Sequence, residues 1–101
     1  MRIVVLFNLK PGIDASAYEQ WARTTDIPGV RALSSVKGFE VYRTTGLLGS
    51  DGRPPYAYIE IIDVGDMSAF GRDVQSERVQ RIAAEFGRFA DQPRFILTEP
   101  L

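Results

Sequence analysis

The alternation of apolar and polar positions predicts four strands, and the first of them is apolar on both faces. Residues 2–9 read Arg-Ile-Val-Val-Leu-Phe-Asn-Leu, so apolar side chains occupy both sets of alternating positions. Such a strand is typical of a sheet that is covered on both sides. Aromatic and β-branched residues predict three further strands, over residues 39–45, 56–64 and 94–98.

Between the strands, apolar residues recur at every third and fourth position, which indicates helices. One helix is predicted over residues 14–25, and it should end there because the residue before Pro28 is pushed out of the α-helical region. A second helical region is predicted in two pieces, which are capped by Asp66 and Ser76 and followed by Pro93 as the terminator. The predicted order is therefore β-α-β-β-α-β.

This order indicates one domain over residues 1–101, of the α+β class. It is the ferredoxin-like arrangement, a four-stranded antiparallel sheet with helices on one face. In a lone domain of this kind the second face meets water, and its strands should alternate apolar with polar residues. The first and third strands do not alternate well. That pattern favours a homodimer with two sheets packed face to face, and the alternative is simply a very apolar sheet.

Charge and composition exclude several classes of partner. The 101 residues include 12 basic and 13 acidic side chains, for a net charge of −1. Because no basic cluster stands out, we expect no nucleic-acid partner. No apolar run is long enough to cross a membrane, so we expect no membrane association. The amino terminus leads into the first strand without a signal pattern, and we therefore expect a cytoplasmic protein.

The sequence contains no cysteine and no histidine. Disulfides, thiolate nucleophiles, Cys/His zinc sites and Ser-His-Asp triads are thereby excluded. The acidic residues are scattered and form no Asp-x-Asp loop, so we predict neither a metal site nor a cofactor. Any chemistry must use carboxylates, amides, hydroxyls, arginines or the substrate itself.

Four stretches of the chain carry a resemblance to a known family. They are Asp-Ile-Pro-Gly-Val at 26–30, Phe-Glu-Val-Tyr-Arg-Thr-Thr-Gly-Leu-Leu-Gly-Ser-Asp at 39–51, Tyr-Ile-Glu-Ile-Ile at 58–62 and Phe-Ile-Leu-Thr-Glu at 95–99. On these stretches the chain resembles the RedY/HapK-like proteins of the dimeric α-β barrel superfamily. The most distinctive block is 41–51, and the likeness runs nearly from end to end.

The resemblance implies a ferredoxin-like protomer and a homodimer in which two sheets form a barrel. Proteins of this kind are encoded with pathways for pyrrole and indole alkaloids, the prodiginines and certain bisindoles. Family members act on, or hold, a reactive aromatic intermediate. Many barrels of the superfamily use a histidine at the pocket, and its absence here argues against haem and histidine-base chemistry.

Three polar residues are candidates for catalysis. Glu60 interrupts an apolar central strand, where desolvation would raise its pKa toward that of a general acid or base; the alternative is an ion pair with Arg43 or Arg94. Asn8, at the end of the first strand, could orient a substrate, or else bond the adjoining loop. Asp26 lies at a chain reversal, where a turn or cap role is the stronger alternative.

Aromatic residues are the candidates for substrate binding, since they could stack on a flat heteroaromatic ligand. Core packing is the alternative for each of them. Arg43 could recognise a carboxylate with two parallel hydrogen bonds. The binding candidates are Tyr18, Trp21, Tyr42, Arg43, Tyr58 and Phe70.

The loop over residues 46–55 carries two leucines among breaker residues, which suggests either a lid or a contact with a partner subunit.

Three functions stay open from the residues alone. The first is an enzyme that guides cyclisation, decarboxylation or rearrangement of an aromatic intermediate. The second is a non-catalytic carrier that shields the intermediate, and the third is a cofactor-free monooxygenase.

Overall fold

The computed structural model describes residues 1–101 and confirms the predicted order of strands and helical regions. The elements are β1 (Arg2–Leu9), α1 (Ala15–Trp21), a π-helical segment (Ala22–Asp26), α2 (Ile27–Arg31), β2 (Val36–Arg43), β3 (Tyr58–Val64), α3 (Met67–Asp73), α4 (Glu77–Phe89) and β4 (Ala90–Leu97). The strands form one antiparallel sheet in the order β2-β3-β1-β4, so β3 and β1 are central. This is the predicted ferredoxin-like α+β fold.

The helices cover one face of the sheet, called here the covered face. On β1 it holds Ile3, Val5 and Phe7, which are all buried, and aromatic side chains from α1 and α4 pack against Phe7. On β3, the alternate residues from Tyr58 to Val64 are buried on the same face. The core of the protein therefore lies between this face and the helices.

The other face of the sheet has no helix over it and is called the open face. Its central apolar residues are directly paired across neighbouring strands, Val4 with Ile61 and Ile96, and Leu6 with Ile59. Ile96 is 42% exposed, and the others are half-buried. A patch of branched apolar side chains at the centre of a sheet is thus left against solvent in the single chain.

The prediction that the first helix ends before Pro28 is wrong. The chain stays helical from α1 through the π-helical segment into α2, and Ile27 has helical φ and ψ angles of −60° and −54°. The Ile27 amide donates to the carbonyl of Ala22, five residues earlier. Pro28 then falls in the first turn of α2, where a missing N–H is tolerated. The wider turn thus lets one helical path continue past a proline.

The last strand begins earlier than predicted, directly after α4. Pro93 lies inside β4 instead of ending the helical region, which ends at Phe89. A proline is tolerated because β4 is an edge strand, and the ladder is irregular there, with Gln92 at a φ of 45°. None of the helices has the length and apolar character that a membrane span requires.

Candidate functional site

A cavity of about 250 Å³ lies between the covered face and the helices. Most of its lining is apolar, and four phenylalanines contribute to it. Phe95 is 59% exposed, so the cavity reaches the surface beside the edge strand β4. The lining residues are Asp26, Val30, Leu33, Phe39, Glu60, Ile62, Phe70, Val74, Val79, Gln80, Ile82, Ala83, Phe86 and Phe95.

Two carboxylic acids are the ionisable residues of this lining, and they are called the acid pair. Asp26 comes from the end of the π-helical segment, and Glu60 comes from β3, between Val5 and Val41 of the neighbouring strands. Asp26 is 5% exposed and Glu60 is 4% exposed. The sequence thus folds two acids from distant parts of the chain into one apolar space.

The hydrogen bonding of the acid pair is incomplete. The Tyr18 hydroxyl donates to Oε2 of Glu60 over 3.5 Å, which is a long hydrogen bond. Oδ2 of Asp26 is buried and has no hydrogen-bond partner at all. Since buried polar atoms are nearly always paired, this orphaned oxygen is a feature that needs an explanation.

Burial and mutual repulsion change the protonation of the acid pair. Burial raises the pKa of Glu60 well above its usual range, the negative charge of Asp26 raises it further, and the Tyr18 hydrogen bond opposes them. Burial raises the pKa of Asp26 to about 7. The pKa of Tyr18 also rises, by burial first and then by the two acids. Both acids therefore keep their protons to a higher pH than ordinary carboxylic acids do, and Asp26 changes its protonation near pH 7.

Several of the predicted site residues come together here. Glu60, Asp26 and Phe70 line the cavity, and Tyr18 contacts it through its hydrogen bond to Glu60. Tyr18 is fully buried on α1, so its ring is part of the core as well. The turn or cap role for Asp26 is not what the structure shows, because its side chain caps no helix.

Arg43 and Tyr58 belong to a smaller neighbouring pocket of about 130 Å³. There the Tyr58 hydroxyl donates to Oε2 of Glu19 over 2.8 Å, and Nη1 of Arg43 lies 3.4 Å from the same oxygen. Arg94 pairs with Leu6 and so lies on the open face, away from Glu60. The suggested ion pair of Glu60 with either arginine is therefore absent.

Trp21 supports the site from outside. Its Nε1 donates to Oε1 of Glu85 over 2.8 Å, and its ring packs against Tyr18, Phe86 and Phe89. It is not among the residues that line the cavity. Its contacts hold α1 against α4, which fixes the position of Tyr18.

Asn8 and Tyr42 are placed away from the acid pair. Asn8 is exposed at the end of β1, where its Nδ2 donates to the Pro55 carbonyl over 3.1 Å and its Oδ1 accepts from the Ala57 amide over 2.8 Å. Tyr42 pairs with Ile59 on the open face and is 50% exposed. Because side chains alternate along a strand, neither residue reaches the covered face beside Glu60.

Sequence reasoning did not single out three of the four phenylalanines in the lining. Phe39 and Phe95 were parts of predicted strands, and Phe86 was part of a predicted helical stripe. Their residue type and spacing are those of core residues, so no local signal distinguished them. Gln80, the remaining polar side chain of the lining, uses its amide to donate to the Val74 carbonyl over 2.7 Å.

The fold and the cavity define a ferredoxin-like α+β protein with a buried acid pair between its sheet and helices. Within that class, the chain belongs to the family of REDY-like protein HapK, whose model matches residues 1–101. Among functionally curated proteins, no sequence matches the chain. No group of three or more acidic side chains is placed so that it could hold a metal ion.

Solved structures give the same assignment of the fold. HapK from Hahella chejuensis is 25% identical, with a TM-score of 0.73, over 98% of this chain and 93% of that one. A DABB family protein with a ferredoxin-like fold from Mesorhizobium loti is 19% identical, with a TM-score of 0.73, over 99% and 95%. A dimeric ferredoxin-like protein of unknown function from Thermobifida fusca is 16% identical, with a TM-score of 0.71, over 94% and 85%.

Proposed function

We propose that this protein is a cytoplasmic, homodimeric tailoring enzyme of pyrrole or indole alkaloid biosynthesis. It binds a reactive aromatic intermediate of the prodiginine or bisindole kind and guides its cyclisation, decarboxylation or rearrangement without a cofactor. Membership of the HapK family supports the pathway class. The observation that carries the proposal is the acid pair at the wall of an apolar cavity.

The chemistry proposed for the acid pair is a paired proton transfer. Glu60 is the proposed proton donor, since burial and the charge of Asp26 raise its pKa, and it protonates a ring carbon or a carbonyl oxygen of the ligand. Asp26, with a pKa of about 7, can accept a proton from another atom of the same ligand. The ligand gains one proton and loses one, so its own proton count is unchanged, and the apolar walls exclude water from the intermediate. After the product leaves, exchange with solvent returns a proton to Glu60 and removes one from Asp26, which restores the starting state.

The aromatic nature of the ligand is supported by the cavity walls. Phe39, Phe70, Phe86 and Phe95 come from four different elements and all contribute to the lining. Flat conjugated rings pack well against such surfaces, in stacked or edge-to-face arrangements. The walls therefore suit a pyrrole or indole system better than an open-chain or sugar-like molecule.

The homodimer is supported by the open face, whose central apolar residues have no cover in the single chain. A second copy placed across a twofold axis would bury this patch against an identical patch. We expect sedimentation velocity at micromolar concentration to show a dimer. Ile61→Arg, at the centre of the patch, should give a folded monomer, whereas Ser68→Arg on the exposed part of α3 should remain dimeric. A wild-type monomer would contradict the proposal.

Catalysis is tested with a panel of bipyrrole and bisindole aldehydes and carboxylic acids, with product formation followed by mass spectrometry. Glu60→Gln keeps the shape of the side chain, but the amide of glutamine does not ionise and so cannot act as a general acid or base. We expect it to lower kcat by about a hundredfold or more while leaving ligand binding largely intact. Asn8→Ala, away from the acid pair, should leave kcat within about threefold of the wild-type value.

The same experiment separates the alternatives. If wild-type protein only prolongs the lifetime of an intermediate and Glu60→Gln does so equally well, the protein is a carrier and the enzymatic proposal is wrong. If oxygen uptake matches product formation, the reaction is a cofactor-free monooxygenation instead.

A further inference from the structure

The orphaned oxygen of Asp26 indicates which chemical class of ligand the cavity suits. Asp26 lines the cavity, and its Oδ2 is buried and accepts no hydrogen bond from the protein. In its ionised form the carboxylate of Asp26 can only accept, so a ligand that pairs with it must donate an N–H or an O–H. The ligand therefore needs a donor group on the part that faces the π-helical segment.

The charge of the lining indicates that this donor is cationic. No lysine or arginine lines the cavity, and its only ionisable residues are the two acids. The faces of the four phenylalanine rings are electron-rich, and such rings attract cations when they are shielded from water. A carboxylate beside aromatic walls, without a basic side chain, is an arrangement that a positive charge on the ligand would complete.

We propose that the cavity binds its ligand as a flat, conjugated cation, whose protonated nitrogen donates to the carboxylate of Asp26 while its rings lie against the phenylalanine walls. The inference rests on the proposed function in that both place the ligand in the same cavity. It goes further because it specifies the charge of the ligand and the residue that recognises it. A protonated imine or amidine group conjugated to a pyrrole or indole ring has this chemistry.

Protonation of Asp26 then links binding to pH. Around it the ionisable groups are Glu60 of β3 and Tyr18 of α1, with Tyr58 of β3 next to Tyr18, while α2, α3, α4 and β2 contribute uncharged lining residues. Burial raises the pKa of Asp26 to about 7, so the free protein must lose a proton before it can pair with a cation. Affinity for a cationic ligand should therefore increase as the pH rises through about 7, and binding at lower pH should release a proton.

The test uses three probes with the same ring and a planar substituent of similar size: indole-2-carboxamidine, indole-2-carboxamide and indole-2-carboxylate. Their charges at neutral pH are positive, zero and negative. Calorimetric titration of the intact protein should give the order amidine, then amide, then carboxylate, with the amidine favoured over the amide by about tenfold or more. Titrations in buffers of different ionisation enthalpy should show proton release by the amidine alone.

Two variants locate the effect. Asp26→Asn removes the charge and should bring the amidine and the amide to within about twofold of each other. Asp91→Asn, on the exposed part of β4, should keep the wild-type preference.

Each other outcome has a defined meaning. If the amide binds as well as the amidine to wild-type protein, the cationic inference is overturned and the aromatic pocket remains. If Asp26→Asn folds and keeps the full preference for the amidine, the inference is overturned as well. If no probe binds at millimolar concentration, both the inference and the proposed aromatic pocket are wrong.

Discussion

Glu19 and the acid pair lie on the same side of the sheet, and they differ in how their carboxyl groups are neutralised. Glu19 accepts from the Tyr58 hydroxyl and lies within 3.4 Å of both Arg23 and Arg43. The acid pair has no basic neighbour, one long hydrogen bond and one orphaned oxygen. Both groups lie on the covered side of the sheet, so position alone does not explain the difference.

The comparison shows that Glu19 stabilises the fold, whereas the acid pair destabilises it. Glu19 satisfies a buried tyrosine hydroxyl, and that hydrogen bond stabilises the contact between α1 and β3. The acid pair is buried with only one long hydrogen bond to compensate for the loss of water, and in a protein interior this costs free energy. Such groups persist at sites that bind or react, which is why the acid pair is the better guide to function.

The largest expected effect is on stability, from Asp26→Asn. Burial raises the pKa of Asp26 from 3.8 to about 7. The contribution of its protonated side chain to the free energy of unfolding is therefore fully present below pH 3.8, and it is lost as the pH rises through about 7. The free energy of unfolding of Asp26→Asn should therefore exceed that of wild type increasingly with pH. The gap should widen by on the order of 3 kcal/mol between about pH 5 and pH 8.

Urea denaturation of both proteins at several pH values measures this gap. Asp91→Asn is the matched control, because its side chain is exposed and it should follow wild type at every pH. A gap that stays constant or narrows with pH would show that Asp26 is not held as a buried, uncompensated acid.

The second effect has the opposite sign, and it concerns Glu19→Ala. Removing this carboxylate leaves the hydroxyl of the buried Tyr58 without its acceptor, and we expect a loss of about 1–3 kcal/mol in the free energy of unfolding. The two arginines add little to this, since both are more than 60% exposed. Glu99→Ala, at the exposed carboxyl end, should change stability by less than about 0.5 kcal/mol. Thermal or urea unfolding at neutral pH measures this loss of stability. If Glu19→Ala were more stable than wild type, Glu19 would not differ from the acid pair in its effect on stability.

The smallest effect is expected from Tyr18→Phe. The Tyr18 hydroxyl lowers the pKa of Glu60, so its removal should raise that pKa further. Because the hydrogen bond is 3.5 Å long, stability should change by less than about 1 kcal/mol. Carbon-detected titration of Glu60 checks the direction, and Tyr42→Phe on the open face should leave the titration unchanged. A fall in the pKa of Glu60 in Tyr18→Phe would contradict the arrangement.

The sequence predicts much of this fold and identifies both acids as candidates, but it does not predict that they form a pair. The order of strands follows from apolar patterning, and Glu60 is conspicuous because it interrupts an apolar central strand. Asp26 is harder to identify as a partner, since it depends on a π-helical turn that carries the helix past Pro28. The hydrogen bond from the Ile27 amide back to the Ala22 carbonyl spans five residues, and no residue propensity in the sequence predicts such a turn.

The sequence pattern also does not show which face of the sheet each strand residue lies on. β1 is apolar on both alternating sets, so the sequence cannot tell whether Asn8 shares the covered face with Glu60. The register settles this, because Val5 pairs directly with Glu60 and therefore places Leu6 and Asn8 on the other side. The phenylalanines of the cavity were equally ambiguous, since a lining residue and a core residue have the same local signature.

The most direct measurement is a carbon-detected NMR titration of the side-chain carboxyl groups of Asp26 and Glu60 in the ligand-free protein. An uncompensated acid pair predicts that Asp26 titrates close to pH 7 and that Glu60 is still protonated there. Complete ionisation of both groups below about pH 5, as in ordinary exposed carboxylates, would contradict it.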